Sequence, residues 1–356
     1  MINKGNGTII FENPAEILSY ASAVGPKEND GPLKGKFDFA AEDSTLGQDS
    51  WEKAESLLQK NALRIALQKG GVSESDIAVI FAGDLLNQCT GSSYSIRDTE
   101  IPFAGMYGAC STMAESLIMA SIFSHSSHSP GNSHNTIAAA LTSSHFCSAE
   151  RQFRTPLDYG GQRTPTAQWT ATAAGCVIVK NADSEYSKSS ESSESNGNFR
   201  VKINSATIGR IIDKGIRDAN NMGAAMAGAA YQTISSHLFA TGTRAGDYDM
   251  IVTGDLGAVG SGILYDLFQK DGITLKSNHT DCGMILFDLE KQEVNAGASG
   301  CGCSASVMCA EILPRITSGE LRNVLFTATG ALMSPTMVQQ GESIPGIAHA
   351  LQLSAD

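Results

Sequence analysis

Residues 107–116 read YGACSTMAES and set one cysteine, Cys110, between a small, glycine-containing approach and a stretch of helical character. Small residues let a backbone bend sharply where a strand passes into a helix. A thiol held there stands at the helix N-terminus, where the dipole is expected to favour thiolate and lower the thiol pKa. Such a cysteine can serve acyl transfer if the chain also supplies a base and a proton donor. Other groups of suitable chemistry are Asp84 and Asp255, each directly after a glycine that ends an apolar run, and Cys301 and Cys303 in GASGCGCSAS. Arg151 and Arg154 in AERQFR and His145 at the end of ALTSSH complete the set.

Each of these also has an ordinary structural use. A cysteine is commonly just a small buried side chain. Cys301 and Cys303 form a CxC pair, too tight for the usual zinc-finger spacing and without a paired histidine, so packing is favoured over metal binding. The two aspartates can be turn formers, although the carboxyl ends of strands are where open α/β sheets bind ligands. The arginines either pair with surface carboxylates or meet an anion. His125, His128 and His134 cluster in SHSSHSPGNSH, where Pro, Gly and Ser point to a surface loop and not to a metal site.

The chain has 356 residues, 42% hydrophobic and 17% charged, enough for one large domain or two fused halves with a sizeable core. A net charge of −12 with no Lys/Arg run argues against a nucleic-acid partner. An anion would have to be met by local positive potential from a few arginines or from helix ends. The eight cysteines include no CxxC pair and read as reduced thiols. The opening MINKGNGTII lacks the basic and apolar regions of a signal peptide, and no apolar run approaches the ~20 residues needed to cross a bilayer. The expectation is a soluble or peripheral protein, and nothing calls for a cofactor.

The elements that must position these residues show in the hydropathy pattern. IAVIFAG (77–83), IAAAL (137–141), CVIV (176–179), MIVTG (250–254) and VLFTAT (324–329) are unbroken apolar runs, as expected of strands covered on both faces. The segment 49–71 predicts a helix with Asp49 and Glu52 as a capping box, an apolar face of Trp51, Ala54, Leu58, Ala62 and Ile65, and Gly70 as C-cap. A second helix, rich in small residues, is predicted over 221–240. DIAVIFAGDL (76–85) and DYDMIVTGDL (247–256) match at an offset of 171 residues. Each follows a long helix and precedes a small-residue turn carrying Cys-Ser, a further helix and an apolar strand. This order argues for an internal duplication, with halves at 1–183 and 199–356 joined by a Ser-rich loop at 184–198.

A duplicated α/β chain with a cysteine at a helix start in its first half resembles the thiolase superfamily. That resemblance implies a five-layer α-β-α-β-α sandwich with the cysteine between the halves. TATAAGCVIV (170–179) is similar to that superfamily's approach to the closing strand of the first half. A closer resemblance, to the stage V sporulation protein AD family, rests on VGPKENDGPL (24–33), AGDLLNQ (82–88), GACST (108–112), TSSHFCSAERQFR (142–154) and DYGGQ (158–162). It continues in TGDL (253–256), DCG (281–283), GASGCGCSAS (297–306), ATGALMSPTMVQQ (328–340) and IPGIAHA (344–350).

This resemblance implies a non-catalytic protein that binds dipicolinic acid (pyridine-2,6-dicarboxylate), with calcium as a companion, for uptake into the developing spore. It also implies a position peripheral to the spore inner membrane and partners among the membrane proteins of the same operon. Condensing enzymes of the superfamily carry a catalytic His where this chain has Asp255, and "GN" or "GH" where it has Gly300-Cys301. Without an imidazole there, the proton-transfer group is missing. The site expected is therefore a binding site built from Cys110, His145, Asp84, Arg151, Asp255, Cys301 and Cys303. Two helix N-termini, at Cys110 and Cys303, are expected to converge on it. The alternative is an acyltransferase using Cys110. A homodimer pairing through 135–141 as an edge strand is expected by analogy.

Overall fold

A computed structural model describes residues 1–126, 137–154, 163–182, 199–275 and 277–356. The Ser-rich loop, the DYGGQ motif and His128 and His134 lie outside these residues.

Ten strands form the frame. The first five are β1 (Thr8–Val24), β2 (Ile77–Gly83), β3 (Phe103–Gly105), β4 (Ile137–Ser144) and β5 (Ala173–Asn181). The second five are β6 (Val201–Thr207), β7 (Met250–Thr253), β8 (His279–Asp281), β9 (Asn323–Ala331) and β10 (Gly346–Ala355). They hydrogen-bond in the order β8-β7-β9-β10-β6-β1-β5-β4-β2-β3. Within the first half the neighbours run third, second, fourth, fifth, first, and the second half repeats that order. In both halves the fifth strand is antiparallel to its neighbours and the others are parallel. The halves meet where β1 and β6 pair antiparallel.

Six helices concern the site: α1 (Trp51–Gly70), α2 (Thr112–Ser126), α3 (Phe146–Phe153), α4 (Met222–Thr241), α5 (Gly257–Lys270) and α6 (Cys301–Val307). The period-2 geometry of a strand explains the layers. Ile80, Ala82, Ala139 and Ile178 pack outward on Leu58, Ala62 and Ala66 of α1. Their neighbours Phe81, Ala138, Ala140 and Val177 pack inward on Met113 and Leu117 of α2 and Ala305 of α6. The same inner core takes in Phe326, Leu351 and Leu353 of the second half, while Leu325 and Ala350 face outward onto Met226, Ile234 and Phe268 of α4 and α5. Helix, sheet, helices, sheet, helices make five layers, with α2 and α6 buried in the middle.

Several expectations need correcting. Helix α1 is capped by Ser50, which accepts from the Lys53 amide at 3.3 Å, while Asp49 pairs with the Lys53 ammonium at 2.8 Å. Its C-cap is Gly71, at φ 62°, a left-handed conformation suited to glycine, and Gly70 stays in the helix. The strand 137–144 is no edge: β5 and β2 pair with its two sides, so the backbone expected to join a second copy is already used. β1, β6 and β10 escaped the apolar-run criterion because polar residues such as Glu12, Asn13, Lys202 and Gln352 interrupt them.

Candidate functional site

Cys110 lies in a turn of 3-10 helix, Ala109–Ser111, that leads into α2. Ala109 takes a φ of 50°, a left-handed conformation that costs a residue with a Cβ roughly 1–2 kcal/mol. Gly330 of β9 supports the turn from below: a Cβ there would meet the Gly108 carbonyl oxygen at 2.3 Å. The strained turn thus depends on a close backbone approach from the second half.

Ser299 faces the buried thiol, with Oγ 3.8 Å from Sγ. Trp169–Thr170 pairs with Ala298–Ser299 as a short parallel ribbon and fixes that serine. Ser299 Oγ donates to Asp255 Oδ2 at 3.2 Å, and the Gly300 amide donates to the same oxygen at 3.1 Å. Thr329 Oγ1 donates to the other carboxylate oxygen at 2.8 Å. Burial pushes the Asp255 carboxyl up to about 7. Burial, and then the neighbouring Asp255 carboxylate, push the Cys110 thiol well above its ordinary value. The expected thiolate is therefore corrected to a protonated thiol, because desolvation and a facing acid outweigh the helix dipole.

The second expected helix N-terminus is corrected too. Helix α6 starts at Cys301, not Cys303, and its capping Gly300 amide is taken by Asp255. Cys301 packs beside Cys110, and its thiol donates to the Ser143 carbonyl at 2.9 Å. Cys303 is turned into the central core, toward the Gly254 carbonyl at 3.7 Å.

Above Cys110 lies a partly open pocket of about 430 Å³, counting the solvent space at its mouth, whose walls include Tyr107, Phe153, Met222 and Met333, with Glu150 and Arg154 as its charged groups. Glu150 Oε1 accepts from Arg154 at 2.8 Å and from Arg163 at 3.3 Å, so two guanidinium groups share one carboxylate. The pocket walls are mainly apolar, and the two charged groups in the lining, Glu150 and Arg154, are paired with each other.

Of the residues singled out in the sequence, Cys110, Asp255 and Cys301 come together. Asp84 is buried away from the pocket wall, accepting from the Leu86 and Ser92 amides at 2.8 Å each. His145 caps α3: Nδ1 accepts from the Cys147 amide at 3.2 Å and Nε2 donates to the Ser44 carbonyl at 2.7 Å, which commits both ring nitrogens. Arg151 pairs with Glu52 and lies over the Trp51 ring, outside the pocket, whereas Arg154, one helical turn on, lines it.

Ser299 and Thr329 were not foreseen, nor was Glu55, which accepts from Ser143 and Ser148 beneath the site. Ser299 could have been found two residues before Cys301 in the same turn, and Glu55 as an acid beside the apolar face of α1. Thr329 carried no signal beyond its place in an apolar run. Among the described residues no group of three or more His, Cys, Asp or Glu side chains could hold a metal, and no helix is long and apolar enough to cross a membrane.

The layer order and the buried cysteine between two repeated halves define a thiolase-like fold. Solved structures bear this out: 3-oxoacyl-[acyl-carrier-protein] synthase III from Aquifex aeolicus superposes with a TM-score of 0.53 at 10% identity, covering 96% of this chain and 99% of the other. A Xanthomonas campestris OleA variant bound with cerulenin superposes at 0.59 and 12%, covering 99% and 100%. The chain belongs to the stage V sporulation protein AD family, whose model matches residues 5–354. The Bacillus subtilis (strain 168) stage V sporulation protein AD is 43% identical over 347 residues, 98% of this chain and 96% of that one.

Proposed function

We propose that this sporulation protein is a binding protein for dipicolinic acid and not a catalyst. The carrying observation is that Cys110 is a buried, protonated thiol facing Asp255 with no imidazole beside it among the described residues. Such a centre lacks the proton-transfer group of a condensing enzyme yet retains a pocket with mainly apolar walls and an arginine in its lining. In this reading Arg154 exchanges part of its bond to Glu150 for a ligand carboxylate, and Phe153, Met222 and Met333 enclose the ring. Binding serves uptake of the acid, with calcium as companion cargo, into the developing spore. The protein works at the face of the spore inner membrane with membrane proteins of the same operon. Calorimetry with dipicolinate and benzoate tests the reading: dipicolinate should bind far more tightly, and equal affinities would refute specific recognition.

One observation favours acyl transfer as a second reading. A carboxyl with a pKa of about 7 that contacts the thiol through Ser299 is placed to act as a general base. Asp255 would take the Cys110 proton, sulfur would attack the thioester carbonyl, and the departing thiolate of coenzyme A would recover the proton. Mass spectrometry after incubation with acyl-CoA decides: a stable adduct on Cys110, absent from Cys110→Ala, supports this chemistry.

A further inference from the structure

Residues 208–217, IGRIIDKGIR, place four isoleucines and three cations within ten positions. Leaving β6, this segment runs along the start of β10. Ile212 and Gly346 exchange backbone bonds of 2.9 and 2.8 Å, and the Ile216 carbonyl accepts from the Ile344 amide at 2.7 Å. Ile212 and Ile216 are thereby half-buried, while Ile208 and Ile211 stay 41% and 61% exposed. Arg210, Lys214 and Arg217 are exposed as well, with the Lys214 stem lying over Gly228.

Most described lysines and arginines have a carboxylate partner. None of these three has one among the described residues, and neither does Lys4 in the adjoining hairpin Ile2–Thr8. The one acid between them, Asp213, is engaged by Ser343 Oγ and the Gly215 amide. The hairpin tip touches the segment, the Ile208 amide donating to the Gly7 carbonyl at 2.9 Å. Between tip, segment and α4 lies a groove with about 630 Å³ of open space, lined by Asn6, Arg210, Gln232 and Ser236 among others.

In a chain of net charge −12, unpaired cations and exposed isoleucines gathered beside a polar groove form a local exception. We infer that this face docks on an anionic lipid surface. A headgroup phosphate sits in the groove against Arg210, Gln232 and Ser236, Lys4, Lys214 and Arg217 lie over neighbouring headgroups, and Ile208 and Ile211 enter the acyl boundary. The combination of apolar side chains with basic ones favours lipid over an acidic protein, which would need only the charges. The inference deepens the membrane location in the proposed function and makes no use of the pocket.

The test is flotation of the full chain, without dipicolinate, on vesicles of phosphatidylcholine alone or mixed with phosphatidylglycerol. Binding is expected only to the mixed vesicles and is released by high salt. The combined variant Arg210→Glu, Lys214→Glu, Arg217→Glu should weaken it about tenfold or more, and Ile211→Ser several-fold. The same reversal at the ion-paired Lys34, Lys53 and Lys60 should leave binding intact. Unchanged circular dichroism and melting temperature show that the variants are folded. Absence of flotation on the mixed vesicles overturns the inference, as does equal weakening by the control reversal. Polyglutamate binding as tight as vesicle binding and insensitive to Ile211→Ser also overturns it, in favour of an acidic protein. Each result is independent of dipicolinate binding, so the two readings fail separately.

Discussion

Ser299 links Asp255 to Cys110: its hydroxyl donates to the carboxylate at 3.2 Å and stands 3.8 Å from the sulfur, and burial first and then this carboxylate raise the thiol pKa. The carboxylate also receives the Gly300 amide at the start of α6, so the helix end that could have charged the pocket positively is neutralised from within. The thiol therefore faces an acid.

Removing that acid should wake the thiol. Above pH 7 Asp255 is ionised and opposes a second negative charge beside it. Asp255→Asn is expected to speed alkylation of Cys110 by iodoacetamide at pH 8, about tenfold for each unit by which the thiol pKa falls. Peptide mass spectrometry over time measures this; an unchanged rate means that the two groups are not coupled.

The thiol is needed for size and not for nucleophilicity if the site only binds. Cys110→Ser should keep most dipicolinate affinity and alter melting temperature little. Cys110→Trp should abolish binding, since the indole fills a closely packed space. Should the serine variant, still folded, lose binding as fully as the tryptophan variant, the binding-only function fails.

Arg151 lies within α3 and Arg154 caps its end, which separates the two arginines. Arg154→Ala is expected to weaken dipicolinate binding by about tenfold or more, the loss of a charge-assisted hydrogen bond. Arg151→Ala, on the Glu52 side, should leave calorimetric affinity unchanged.

Beneath the site, Glu55 is fully buried, and desolvation together with the Asp84 charge raises its carboxyl pKa far above the usual range. The folded state therefore holds a proton that the unfolded state releases near pH 4.3. Stability from the neutral carboxyl is complete below that pH and is lost as pH rises through the raised folded value. Glu55→Gln keeps an acceptor for Ser148 without a charge, so thermal melts should show its greatest gain over the parent chain above neutral pH and little gain at pH 5.

The duplicated α/β architecture was legible in the amino-acid sequence because strands covered on both faces must be apolar at every position. IAVIFAG and MIVTG therefore announce themselves, and their shared Gly-Asp-Leu ending exposes the repeat. Cys110, Asp255 and Cys301 could be picked out for a related reason: tight turns at strand ends demand small residues, and reactive types among them are conspicuous. Which of the candidates meet was decided by tertiary structure. Asp84 and Asp255 end equivalent strands, yet β7 carries Asp255 to Ser299 beside the thiol, while Asp84 turns to the Leu86 and Ser92 amides. Arg151 and Arg154 are three positions apart, and the path of the chain at the end of α3 sends one to Glu52 and the other to the pocket. The charge state of Cys110 was the least legible of all. It depends on burial and on a carboxylate 145 positions away in the chain, and no local pattern records either.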